Sequence, residues 1–297
     1  MKRILVTGGT GFVGVRVVAA LDAAGLSARV FDLKPRPERL PPVRSDVEIV
    51  TGDITDPQAV SRAAEGCDGI VHLAGLMTVD CARDPILGAR VNLMGSLNVF
   101  EAARVYRLPV AYLSTAGVFG PSDAVNPRPM TIYGTTKLAV EGVARAYAAD
   151  QGVPSLGLRP YIVYGPGESA GIAAGPSIAI AAAVRRAPAT IRFSGRVGFV
   201  HVDDVARLLT AAMAGPLDGA SALTMAGETM DMQAFVAELE RQAGGAAITV
   251  EGPPLKIPAD LRSDLPPADF GSQPVTSVAD GIAATIAELR SSMAGVK

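Results

Sequence analysis

Apolar positions recur in two periods along the first half of the chain. Short runs rich in β-branched residues, "RILVT" (3–7), "ARVFD" (28–32), "VEIVT" (47–51), "GIVHLA" (69–74), "VAYLS" (110–114) and "SLGLRP" (155–160), read as strands. The segments between them at 12–24, 56–65, 86–106 and 134–151 have helical length. Strands alternating with helices predict an α/β fold, a doubly wound parallel sheet covered on both faces. After Pro160 the punctuation changes to "YGPGES", the pattern up to "FVHVDD" (199–204) is less regular, and proline clusters in "PPLKIPADLRSDLPP" (253–267). Extended connections are expected there. The expected organisation is one sheet domain over 1–165, rejoined by about 199–225, with a small second lobe built from 166–198 and about 226–297.

Composition narrows the class of protein. Of 297 residues, 49% are apolar and 19% charged, with 27 Lys+Arg against 29 Asp+Glu, so there is neither the charge excess of a disordered chain nor a basic field for nucleic acid. "MKRILVTGG" has too short an apolar run for a secretion signal. The apolar stretch "GIAAGPSIAIAAAV" (171–184), interrupted by Gly175 and Pro176, falls short of the ~20 residues a bilayer span needs and reads as a packed segment. Cys67 and Cys81 lack zinc-like spacing or a His companion, so neither metal nor disulfide is expected. A reducing cytoplasm is the expected location.

The segment "ILVTGGTGFVG" (4–14) places Gly8, Gly11 and Gly14 between the first strand and the first helix. Gly8 and Gly11 permit a tight turn and close backbone approach to a pyrophosphate lying on the helix N-terminus, and Gly14 lets the helix pack on the sheet. About twenty residues on, Asp32 ends the second strand, where a carboxylate accepts from ribose hydroxyls and repels a 2′-phosphate. NAD is therefore expected over NADP, although Lys34 and Arg36 offset part of that repulsion. Asp53, in "TGDITD", is either a loop cap or a partner for the adenine amino group, and spacing favours the cap.

In "TIYGTTKL" (131–138), Tyr133 and Lys137 stand at i and i+4, one helical turn apart. Alone, that spacing is equally ordinary helix surface. Taken with "TGGTGFVG", "VFD", "GDITD", "HLAG" (72–75), "VNLMGSLNV" (91–99), "LSTAGVFG" (113–120), "LRPYIVYGPG" (158–167) and "FVHVDDVA" (199–206), in that order, the chain resembles the extended short-chain dehydrogenase/reductase family, also called the NAD-dependent epimerase/dehydratase family.

The resemblance implies a Rossmann domain carrying NAD and a small substrate-binding lobe. Tyr133 would be the general acid/base, Lys137 would favour its phenolate and bond the nicotinamide ribose, and Thr115, rather than Ser114, would bond the substrate oxygen. Besides Tyr133 and Lys137, Gly8, Gly11, Phe12, Val13, Asp32, Asp53, Ile54, Leu73, Ala74, Gly75, Asn92 and Tyr161 are expected at the cofactor. Asn92 is equally a helix-stabilising residue, Tyr161 equally core, and His201 is expected to be structural. Helices 86–106 and 134–151 match the pair that forms a homodimer interface in this family.

Departures from the family pattern point to the reaction. Dehydratases carry an Asp-Glu pair after the Thr, whereas Thr115 is followed by Ala116 and Gly117, which argues against dehydration. The arginine that clamps a substrate diphosphate in nucleotide-sugar enzymes is replaced by Val197; Arg196 is one residue away and Arg192 further off, and in a strand Arg196 would face the opposite way. Substrate contacts are expected from Thr115, Ala116, Tyr133, Arg192 and Arg196. The expected function is an NAD-dependent oxidoreductase working on a secondary hydroxyl or carbonyl of a small polar molecule such as a sugar or sugar acid. A nucleotide-sugar 4-epimerase with bound NAD is the alternative, and a non-catalytic NAD sensor a more distant one.

Overall fold

The computed structural model describes residues 1–168 and 170–294. Seven parallel strands, β1 Arg3–Thr7, β2 Ser27–Asp32, β3 Glu48–Thr51, β4 Gly69–His72, β5 Val110–Leu113, β6 Ser155–Pro160 and β7 Ala220–Met225, form one sheet in the order β3-β2-β1-β4-β5-β6-β7. The order reverses between β1 and β4, the switch point beyond whose carboxyl ends open sheets of this kind bind their ligands.

The unbroken apolar runs are explained by burial on both faces. Along β1, Ile4 and Val6 point to one side, where they pack with Val17, Val18 and Leu21 of the Phe12–Ala23 helix and Leu208 and Leu209 of the Val202–Ala214 helix. Leu5 points to the other, among Val60, Val99, Phe100 and Val140. A strand period of two thus divides Ile4, Leu5 and Val6 between two cores.

Residues 85–106 form one continuous helical run, with a wide π turn at Arg90–Met94 between Pro85–Ala89 and Gly95–Tyr106. Asp84 caps its start by accepting from the Leu87 N–H. The Ile132–Gln151 helix begins on Thr131, whose hydroxyl accepts from the Gly134 N–H at 3.0 Å, and ends on Gly152 at φ 64°. That left-handed cap suits glycine.

Beyond Pro160 the chain leaves the main sheet. Ile162–Tyr164 pairs in parallel with Arg196–His201, which pairs antiparallel with Glu228–Asp231, making a small second sheet. Around this small sheet the Gly175–Val184, Met232–Ala243 and Val278–Ala294 helices enclose a third core. Phe199 and Phe235 stack within it at 4.7 Å. Arg16 ties the last helix to the first, donating to Asp203 at 2.6 Å and to Glu288 at 2.9 Å. Among the described residues, no helix is long and apolar enough to cross a membrane.

Candidate active site

The cradle lies where β1 meets the Phe12–Ala23 helix. Gly8 has φ 68°, and its carbonyl accepts from the Gly11 N–H at 2.9 Å. A Cβ on Gly8 would stand 2.9 Å from the Ala74 nitrogen, and one on Gly14 only 2.4 Å from the Gly8 carbonyl oxygen. Side chains are excluded from this surface, as close approach of a pyrophosphate requires. No side chain caps the helix start, so the first-turn N–H groups of Phe12 and Val13 are left to an anion.

Asp32 closes one end of the cradle. Its carboxylate accepts from the Thr10 hydroxyl at 2.6 Å and from the Lys34 N–H at 3.2 Å, with lone pairs remaining on both oxygens. Asp53 takes the capping role, accepting from both the N–H and hydroxyl of Thr55 at 2.8 Å. Ile54 is 6% exposed and packs against Gly95 of the 85–106 run. Ile54 is held by packing, whereas Asp53 is exposed and both of its bonds fall on Oδ1, so Oδ2 stays open to a cofactor.

A polar chain with one possible direction lies under Leu73, Ala74 and Gly75. The Thr7 hydroxyl oxygen already accepts from the Leu73 and Ala74 N–H groups, each at 3.2 Å, so its proton goes to His72 Nδ1 at 2.7 Å. His72 Nε2–H then donates to Ser96 Oγ at 2.9 Å, and Ser96 donates to the Asn92 carbonyl at 2.6 Å. Burial drives the His72 pKa down to about 3, keeping the ring neutral as this chain requires. Asn92 itself grips Leu76 through two bonds, Leu76 N–H to Oδ1 at 2.7 Å and Nδ2 to Leu76 carbonyl at 3.0 Å. A Cβ on Gly75 would meet Asn92 Oδ1 at 3.1 Å and Lys137 Nζ at 3.6 Å, so these three residues share one place.

Tyr133, Lys137 and Thr115 converge beside that place. Thr115 stands beside the Tyr133 phenol, and its hydroxyl accepts from the Gly117 N–H at 3.0 Å. Lys137 Nζ lies 5.8 Å from the Tyr133 ring centre and donates to the Leu113 carbonyl at 2.8 Å. Burial pushes Tyr133 up to about 12, opposed by the neighbouring Thr115 hydroxyl, and pulls Lys137 down to about 8. The ammonium therefore faces the ring and a carbonyl rather than the phenol oxygen itself.

Other expected site residues lie elsewhere. Ala116 is fully buried in the third core and presents no surface to a substrate. Tyr161, 7% exposed, has the contacts of a packing residue, with its hydroxyl turned toward the Ile257 carbonyl at 3.4 Å. Arg196 opens a strand, and strand alternation buries Val197 at 1% exposure while turning Arg196 outward toward the Thr229 carbonyl. Arg192 is likewise exposed. His201 caps the Val202–Ala214 helix through Nδ1, the structural role expected of it.

Sequence reasoning missed Arg39. Its guanidinium donates to the Thr10 carbonyl at 3.1 Å and to the Gly167 carbonyl at 2.9 Å, joining the cradle to the "YGPG" turn. It ends the single 3-10 turn Pro37–Arg39, too short to leave a periodic signal. The Thr7–His72–Ser96 chain was also missed, for its members are 65 and 24 residues apart.

A doubly wound sheet with a side-chain-free cradle at its switch point, and Tyr133, Lys137 and Thr115 beside it, is the arrangement of a dinucleotide-dependent short-chain enzyme. The chain belongs to the NAD dependent epimerase/dehydratase family, whose model matches residues 4–224. It is 32% identical over 220 residues to a ceramide reductase of Caulobacter vibrioides, covering 73% of this chain and 62% of that one. It is 33% identical over 166 residues to a dTDP-glucose 4,6-dehydratase of Mycolicibacterium smegmatis, covering 51% and 50%. The chain thus matches about half to three-fifths of the length of these relatives. Among solved structures, UDP-glucose 4-epimerase of Thermus thermophilus, in complex with NAD, superposes with a TM-score of 0.81 at 28% identity, covering 97% of this chain and 99% of that one.

Proposed function

We propose that this chain is an NAD-linked oxidoreductase that interconverts a secondary hydroxyl and a carbonyl on a small polar molecule such as a sugar or sugar acid. The observation that carries this reading is the convergence of Thr115, the Tyr133 phenol and the Lys137 ammonium, the last of them beside Gly75. The first-turn N–H groups and Asp32 would hold NAD by its pyrophosphate and adenosine ribose, and the cofactor would supply the hydride chemistry. The protein's own residues handle the proton. Thr115 holds the substrate oxygen, Tyr133 takes its proton during oxidation and returns one during reduction, and the positive charge of Lys137 opposes the cost of a buried phenolate. Residues 170–198 and 226–294 would cover the substrate side. Val197, buried where a diphosphate clamp would need an arginine, favours a substrate without a nucleotide. A panel of sugars, sugar acids and other secondary alcohols, screened with NAD for absorbance of the reduced nicotinamide, tests the reading; no turnover across the panel together with no NAD binding would sink it.

A second reading is nucleotide-sugar 4-epimerase, favoured by the near full-length superposition on such an enzyme. Net NADH release separates the two, since an epimerase re-reduces the same carbon. A non-catalytic NAD sensor is disfavoured, because it needs the cradle but not the Thr115–Tyr133 pair. We further assign a homodimer interface to helices 85–106 and 132–151, which Tyr147 and Glu101 join by a hydrogen bond and on which Met94 and Val105 stand exposed. Sedimentation at equilibrium tests it, and a monomer at micromolar concentration would remove it.

A further inference from the structure

Glu141 is 1% exposed, yet it is an acid in the middle of a helix. It stands one turn after Lys137 and two after Tyr133, on the same face. Its partners come from two other elements. Ser114, directly before Thr115, donates to Oε1 at 2.6 Å, and Arg159 of β6 forms a two-pronged pair, Nε to Oε1 at 2.8 Å and Nη2 to Oε2 at 2.5 Å. The Arg159 guanidinium also lies 5.3 Å over the ring of Phe119, which closes the short turn that Thr115 opens. Both ends of the segment bearing Thr115 are thus held by one ion pair, and that pair is rooted in the helix bearing Tyr133. A buried pair is weak evidence of stabilisation, since its desolvation offsets its attraction, so its placement calls for another explanation.

We propose that Glu141 and Arg159 are positioning residues, which act through Ser114 and Phe119 to hold the Thr115 hydroxyl in register with the Tyr133 phenol. Neither touches the reacting atoms. Their contribution is the alignment of two hydroxyls on separate segments, and small misplacements of that kind cost rate rather than binding. The inference rests on Thr115 and Tyr133 being the reacting pair.

One test needs no substrate. Hydrogen exchange at the Gly117 amide, which bonds Thr115 Oγ1, should quicken about tenfold in Glu141→Gln while the β1 amides keep their protection. Unchanged Gly117 exchange would overturn the proposal. The second test is a double-mutant cycle with an alcohol found by the screen. Glu141→Gln should lower kcat about tenfold with KM and NAD affinity unchanged, and should add less than twofold once Thr115→Val is present. Arg159→Lys, which keeps the charge but loses the planar fork, should fall between Glu141→Gln and the parent. Full additivity with Thr115→Val would show a merely structural role. If Glu141→Gln does not fold, Ser114→Ala, which removes one hydroxyl, goes through the same two tests with the same expected pattern. If Tyr133→Phe and Thr115→Val themselves leave turnover intact, the functional reading fails; if they abolish it while the cycle is additive, only this inference fails.

Discussion

The two sides of the crevice are built on different principles. On the cofactor side the surface is backbone: Gly8 and Gly14 exclude side chains, the first helix offers uncapped N–H groups, and a single carboxylate at Asp32 marks the far end. On the side proposed for proton transfer the groups are side chains, with Thr115 from a tight turn, Tyr133 and Lys137 from one helix, and the buried Asn92 behind them from a π turn in another. A backbone surface is encoded by local residue type, whereas a side-chain surface depends on how distant segments are held. The cofactor side should accordingly fail sharply when crowded, and the other side should fail by degrees when alignment is disturbed.

The largest effect is expected on the cofactor side. Gly14→Leu would force a side chain into the Gly8 carbonyl and the Gly9 backbone, and should abolish NAD binding and with it all turnover. Calorimetry and a melting curve check this; full NAD affinity in Gly14→Leu would refute the description of the cradle.

Asp32→Ala should narrow the preference for NAD over NADP by ~10–100-fold, the worth of hydrogen bonds to a charged group. Titration of both dinucleotides reads the ratio. Stronger binding of NADP by the parent protein would show that Lys34, Arg36 and Arg39 outweigh the carboxylate.

On the proton-transfer side the pH dependence has a definite sign. With its pKa lowered to about 8, Lys137 carries its charge below that pH and loses it above, while Tyr133, raised to about 12, keeps its proton throughout that range. Carbonyl reduction should therefore decline by up to ~10-fold per pH unit above 8, and the decline should vanish in Lys137→Met. The linked stability runs the other way: the unfolded chain holds this proton more tightly, so this group makes folding more favourable as pH rises from 8 toward 10.5. A flat reductive profile to pH 10 would remove Lys137 from the chemistry.

The smallest effect is expected at Arg196, which the strand turns outward. Arg196→Ala should alter turnover and substrate KM by less than ~2-fold, within the range usual for a surface change. A tenfold rise in KM would return this residue to the substrate site and favour a diphosphate-bearing substrate.

The same contrast explains what was legible in the sequence. Strands at 3–7 and 155–160 match the structure to the residue, because burial on both faces leaves an unbroken apolar run between turn residues. The glycine spacing pointed to the cradle because backbone access depends on glycine itself. The Thr115–Tyr133–Lys137 group became legible only through the ordered resemblance, since Tyr-x-x-x-Lys spacing is also common on helix surfaces. Arg39 and the Glu141–Arg159 pair left no pattern, being joined by pairings between segments 18 to 128 residues apart. Ala116 was misread for a related reason: the sequence places it beside Thr115, but the tight turn there directs its side chain into the core.

The central claim is that one crevice binds NAD on its backbone side while Tyr133 performs the proton transfer on the other. Tyr133→Phe, which removes only the phenol oxygen, tests it most directly when NAD affinity by calorimetry and turnover of an alcohol from the screen are measured on the same preparation. The account predicts NAD affinity within about twofold of the parent and turnover lower by ~10²–10⁴, the scale of a positioned acid/base. Near-normal turnover in Tyr133→Phe would contradict it.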